Sequence, residues 1–248
     1  MNNKIIGIVD GDVLVYRACN KAIKDNLDVR KTFDEIYEEV KMNTACDKYS
    51  LHISGGGNFR KEIEQSFLKY KGKRRDKPDN YLECRDYVAK KYNPIMVPNY
   101  EADDTASVEA FKYIKNKQLY MLITLDKDWK TIGGLFYNLL HNNLSAVSKV
   151  EGIEFFHQQL LTGDAVDNIP GIEGVGPVKA NKILKDKNLN EQFEAVIKAY
   201  KKHYPEDFLS RLNVMGTMLY LIKDFKDHSQ WSIEYWRNYL NGVQSEKI

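Results

Sequence analysis

Four groups of carboxylates stand out in this chain: Asp10 with Asp12, Glu101 with Asp103 and Asp104, Asp126 with Asp128, and Asp164 with Asp167. Acids brought within ~4 Å of one another repel by roughly 4 kcal/mol per pair at an effective dielectric of ~20, so a shared pocket needs protons or cations to relieve them. An all-oxygen set with no His or Cys selects hard ions, which makes Mg²⁺ or Mn²⁺ the natural occupant and a phosphate the natural substrate. An EF-hand does not explain the 126–134 stretch, because Lys130 and Thr131 stand where that loop needs an oxygen ligand and a glycine.

Two further segments suit a polyanion. "GIEGVGP" places Gly174 and Gly176 just ahead of the helix-forming "VKANKILK", with Lys179 and Lys182 on its first turns. A helix start of this kind seats a phosphate on backbone amides and grips a nucleic-acid backbone without reading sequence. Its spacing is that of neither a dinucleotide fingerprint nor a Walker loop. A plain helix-to-helix turn is the alternative. "KYKGKRRDK" at 69–77 carries six cations against one anion, although the whole chain is only +2. With the residues before it, this run combines Phe59, Phe67 and Tyr70 with Arg60, Lys61, Lys69, Lys71, Arg74 and Arg75. Cations that hold phosphates and aromatics that stack on bases make such a stretch one jaw of a clamp; a solvated charged face is the alternative.

The elements that must carry these groups are legible in part. "KIIGIVDGD" and "LYMLITLDKD" are short apolar runs ending in Asp10 and Asp126, the pattern of parallel strands buried on both faces. Ligands collect at the carboxyl ends of such strands. A helix is expected over 101–116, with Glu101, Asp104, Val108 and Phe111 on one stripe, so that two acids extend a face directed at the core. Helices are also expected over 33–49 and 79–92, a loop at 54–58, a short strand at "PIMVP", and a mostly helical remainder beyond 150. The reading is an α/β chain of 248 residues, long enough to bury a sizeable core. Cys19, Cys46 and Cys84 are widely spaced and read as plain thiols. No membrane-length apolar window and no signal-like start is found, so a cytoplasmic protein without a membrane partner is expected.

Taken together, "IVDGD", "FRKEI…YKGKRR", "VPNYEADDTAS", "ITLDKDW" and "GDAVDNIPGIEGVGPVKANKIL" resemble the flap-endonuclease-like 5′-nucleases. That family includes bacterial polymerase N-terminal nuclease domains and stand-alone phage 5′-to-3′ exonucleases. The matches follow family order over about residues 5–185. The resemblance implies a PIN-like catalytic domain at 1–157, with a mostly parallel central sheet covered by helices. It implies a helix-three-turn-helix DNA-binding subdomain at 158–248, the two forming one compact unit. It further implies two Mg²⁺ or Mn²⁺ sites, one at Asp10, Glu101, Asp103 and Asp104 and one at Asp126, Asp128, Asp164 and Asp167. Lys71 and Arg74 would address the scissile phosphate. DNA contacts would come from Arg60, Tyr70, Lys71, Arg75, Gly174, Gly176, Lys179 and Lys182, with K⁺ held in the glycine turn. The implied activity is hydrolysis at or near 5′ ends, nicks or flaps of duplex DNA, with RNA–DNA hybrids as a further substrate, as in a phage replication enzyme.

Three departures from the family pattern are visible. Where the family carries an aspartate several residues before the "FR" pair, this chain has Ile53 or Ser54, so the first site is expected to lack one ligand. The lysine directly after "GP" is replaced by Val178, with Lys179 one place later, and 76–100 leaves limited room for a large arch. Two rival readings stand beside this one. A haloacid-dehalogenase-type phosphatase would use Asp10 as nucleophile and Asp12 as acid/base, but needs a strand where "FFHQQLL" reads as helix. A DNA-structure-binding module without catalysis would explain the missing aspartate.

Overall fold

The computed structural model describes residues 4–63, 68–71, 76–226 and 231–245. By its contacts the chain gathers into two compact units, Met1–Asn58 with Arg75–Ser148, and Phe59–Arg74 with Lys149–Ile248. The division expected at 157/158 falls inside a helix, Lys149–Thr162, that belongs whole to the second unit.

The first unit is built on a five-stranded sheet of β1 (Ile6–Asp10), β2 (Lys48–His52), β3 (Tyr120–Thr124), β4 (Gly134–Asn138) and β5 (Asn143–Val147), in the order β2-β1-β3-β4-β5. All neighbours are parallel except β4 and β5. β1 is central and buried on both faces, which is why its run is apolar without alternation. One face, carrying Val9, Met121 and Ile123, shares a core with α1 (Gly11–Asp25), α2 (Val29–Thr44) and α3 (Tyr81–Tyr92). α4 (Ala102–Lys115) packs against β1 and β2, where His52 meets Thr105.

The helix expected over 33–49 is instead α2, which ends at Thr44, followed by strand β2. No Gly, Asn or Pro marks that stop. Ala45 takes the left-handed conformation (φ 48°), and the Tyr49 hydroxyl closes the helix end: it donates to the Lys41 carbonyl at 3.0 Å and accepts from the Cys46 amide at 2.8 Å. A side chain on the following strand thus supplies the cap that sequence signals lacked. "PIMVP" contributes a single parallel bridge, Ile95 to His52, rather than a strand of its own.

The second unit holds α5 (Lys149–Thr162), a two-residue antiparallel ladder of β6 (Gly163–Asp164) and β7 (Ile169–Pro170), then α6 (Pro177–Leu184), α7 (Leu189–His203), α8 (Phe208–Leu219) and α9 (Ile233–Ser245). Its core is aromatic. Trp231 and Trp236 are both buried against Phe156. The segment before Gly163 is helical, which removes the strand the phosphatase reading required. Among the described residues no helix is long and apolar enough to cross a membrane.

Candidate active site

In the first unit the acids lie at the carboxyl ends of β1 and β3. Asp10 ends β1, is 3% exposed, and caps α1 by accepting from the Val13 amide at 3.1 Å. Its other oxygen accepts from Thr124 Oγ1 at 2.7 Å, and that hydroxyl accepts from the Asp126 amide at 3.0 Å. Burial first, then the negative charges of Asp12 and Asp126, push the Asp10 carboxyl up to about 7, against the hydrogen bonds from Thr124 and Val13 that favour its charged form. An acid held in this way is short of positive charge.

The start of α4 brings in three more acids. Asp104 is fully buried and forms a capping box with Glu101, accepting from the Glu101 amide at 3.3 Å. The expected stripe is therefore present, with Glu101, Asp104 and Val108 buried. Asp103 accepts from the indole nitrogen of the buried Trp129 at 2.7 Å. Trp129 follows Asp126 and Asp128, so this bond ties the start of α4 to the turn after β3. Asp126 itself accepts from the Asp128 amide at 2.8 Å. Beside Asp10, Ser54 donates its hydroxyl to Asp12 and accepts from the Ala102 amide at 3.2 Å.

Asp164 and Asp167 lie in the second unit. Asp164 is buried and accepts from the Val166 amide at 2.7 Å and the Asp167 amide at 3.3 Å. Asp167 sits 3.4 Å from Lys71 Nζ and accepts from the Tyr70 hydroxyl at 3.2 Å, while its carbonyl accepts from the Lys71 amide at 2.8 Å. The basic stretch is thereby joined to the acidic turn within one unit.

Two residues of the expected DNA-binding set, Arg60 and Tyr70, are buried rather than exposed. Arg60 is 2% exposed and donates to the Met218 and Tyr220 carbonyls at 3.0 and 2.8 Å, so its charge serves the end of α8 inside the fold. Tyr70 is buried as well and presents no open ring face. Arg74, Arg75 and Phe67 lie outside the described residues. Gly174, Gly176, Lys179 and Lys182 are all exposed. Gly174 is in the left-handed region (φ 71°) and its carbonyl accepts from Lys179 Nζ at 2.7 Å; Gly176 is the N-cap of α6 and Pro177 its first residue.

Among the described residues no three His, Cys, Asp or Glu side chains are set to hold an ion as they stand. The fit to a hard cation therefore rests on donor chemistry and charge. The donors are all oxygens, Asp10 is buried beside two like charges, and Asp12 Oδ1 is buried without a hydrogen bond. On these grounds the residues suit a divalent cation. The sequence assigned no role to Thr124 or Trp129, whose side chains donate to Asp10 and Asp103. A threonine ending an otherwise apolar strand was the available signal for the first, and the second closes the "ITLDKDW" stretch directly after Asp128.

No family model matches the chain. The 5′-3′ exonuclease of Aquifex aeolicus is 30% identical over 225 residues, covering 82% of this chain and 76% of that protein. DNA polymerase I of Borreliella burgdorferi is 30% identical over 162 residues, 58% of this chain, but the match spans only 18% of the polymerase. Among solved structures, the T5 D15 protein co-crystallised with metal ions shares the fold at a TM-score of 0.69, with 18% identity over 97% of this chain and 99% of that one. The likeness to the Aquifex enzyme over most of both chains, on a fold with acids gathered at parallel strand ends, places this chain in the 5′-3′ exonuclease family of 5′-nucleases.

Proposed function

We propose that this chain is a divalent-metal-dependent nuclease that hydrolyses phosphodiesters at or near 5′ ends of duplex DNA, using Mg²⁺ or Mn²⁺. The observation that carries the reading is Asp10, a buried carboxylate beside two further acids at the end of a central parallel strand. When bound, the cations would activate water and stabilise the leaving oxygen of an in-line displacement. Asp10, Glu101, Asp103 and Asp104 would hold one cation; Asp126 and Asp128 in the first unit, and Asp164 and Asp167 in the second, are the remaining acids available as ligands. Lys71 would offset charge on the scissile phosphate, with Arg74 beside it in sequence. Its contact with Asp167 makes that carboxylate the group it would exchange for phosphate.

The glycine turn would grip duplex phosphates through the exposed Gly174, Gly176, Lys179 and Lys182, with K⁺ as a further occupant. Ends, nicks and flaps of DNA, and RNA–DNA hybrids, are the proposed substrates. The test is release of nucleotides from end-labelled duplex in Mg²⁺, with and without chelator. Metal-dependent release from the 5′ end is expected. Tight binding of the duplex with no release in Mg²⁺ or Mn²⁺ would instead identify an inert DNA-binding module.

A further inference from the structure

We infer that Asp12 supplies the first cation site with the carboxylate that position 54 lacks, so that this site is completed from the β1 side of the sheet rather than the β2 side. The inference rests on the metal-dependent reading above.

The backbone brings the two positions together. β1 and β2 run parallel with Asp10 opposite His52, so residues 12 and 54 leave neighbouring strands side by side. The Ser54 hydroxyl donates to Asp12 Oδ2, and the Ser54 amide donates to the same oxygen at 3.2 Å. That hydroxyl in turn accepts from the amide of Ala102, the first residue of α4, directly after Glu101. Asp12 therefore stands one hydroxyl away from the helix start that carries three of the expected ligands.

The two oxygens of Asp12 have different surroundings. Oδ2 is anchored by Ser54, whereas Oδ1 is buried and makes no hydrogen bond. The nearest cation to it is Arg85, whose Nη1 lies 3.8 Å away, beyond hydrogen-bond reach, while its Nη2 donates to the Ser54 carbonyl. A buried carboxylate oxygen without a donor is costly, and an acid that served only the dipole of α1 would have no reason to bear that cost. One oxygen fixed by hydrogen bonds and the other facing only a guanidinium at 3.8 Å, with no hydrogen bond, leaves a lone pair that a cation can take. Ser54 is then a positioning residue, its hydroxyl setting the rotamer of Asp12.

The experiment is Mn²⁺ titration of the metal-stripped full chain by calorimetry, beside its metal-free melting temperature. The variants are Asp12→Asn, and Ser54→Asp in the Asp12→Asn background. Asp12→Asn is expected to weaken Mn²⁺ binding at least tenfold, and Ser54→Asp to regain most of that loss by returning a carboxylate from the β2 side. An Asp12→Asn variant that folds and binds Mn²⁺ like the wild type overturns the inference, as does a folded double variant that regains nothing. A wild type that binds no Mn²⁺ overturns the metal-dependent reading itself. Should Asp12→Asn not fold, Asp12→Glu keeps the charge facing Arg85 but moves the oxygens by a methylene; unchanged Mn²⁺ affinity there also refutes the role.

Discussion

Each unit of this protein buries a titratable group whose charged form burial opposes, Asp10 in the first and His157 in the second, and the two are treated in opposite ways. In the second unit His157 is fully buried, with Trp236 Nε1 donating to its Nε2 at 2.9 Å and Gln192 Oε1 3.2 Å from its Nδ1. The indole can only donate, so Nε2 accepts and the proton sits on Nδ1. Both nitrogens are satisfied in the neutral ring, and burial lowers the histidine to about 4. In the first unit Asp10 is buried beside Asp12 and Asp126, and its carboxyl is raised to about 7. Both shifts start from burial. They differ in what surrounds the group: His157 has partners for its neutral form, while Asp10 faces like charges that only a proton or a cation can offset. A satisfied buried group is architecture, whereas one crowded by like charge has a use outside the fold.

The largest expected effect separates the two directly. Asp10→Asn should lower cleavage about a thousandfold or more, the several kcal/mol that a lost ligand removes from transition-state stabilisation. In metal-free buffer at pH 8 the same change should stabilise the fold by about 1 kcal/mol or more, because a buried charge repelled by its neighbours is gone. Turnover and urea unfolding measured on one preparation check both signs.

Next in size is a pH effect carried by His157. Its pKa is about 4 folded against 6.5 unfolded, so between those values the unfolded chain binds the extra proton. Its contribution to stability is complete above pH 6.5 and is lost as pH falls toward 4, by roughly 3 kcal/mol in all. Urea midpoints of wild type and His157→Gln across that window should diverge at high pH and converge at low pH. Parallel curves would remove His157 from the account.

Smaller effects test which cations face the substrate. Arg60→Met should cost about 2 kcal/mol by leaving the Met218 and Tyr220 carbonyls without their donor, yet leave the salt dependence of DNA binding unchanged. Lys182→Ala should do the reverse, keeping stability within about 0.5 kcal/mol while lowering the salt slope of DNA binding by about one unit. Binding isotherms at several salt concentrations decide between the two patterns.

What could be read from sequence follows the same physical line. Strand ends at Asp10 and near Asp126, the inward acids of α4, and the exposed Gly174 and Gly176 before α6 were legible, because each is set by local periodicity or by a turn that few residues allow. Gly163 shows how strict such a turn can be: its φ is 69°, and a Cβ there would meet the Ile169 carbonyl oxygen at 2.2 Å. The hidden features depend on contacts far apart in the chain. Arg60 looks like part of a basic surface until α8 is seen to need a donor 158 residues away. The same holds for Thr124, whose hydroxyl reaches Asp10 across 114 residues, and for Ser54 with Asp12 across 42. Charge type is local information, but the partner that decides its role is not.

The central claim is that Asp10 is kept in an unfavourable place in order to meet a divalent cation. Thermal melting of wild type and Asp10→Asn, each with and without saturating Mn²⁺, tests it most directly, since a ligand that binds only the folded state raises its melting temperature. Mn²⁺ is expected to raise the wild type by several degrees and Asp10→Asn by clearly less, because only the second set of acids is left intact. An equal rise in both proteins would contradict it.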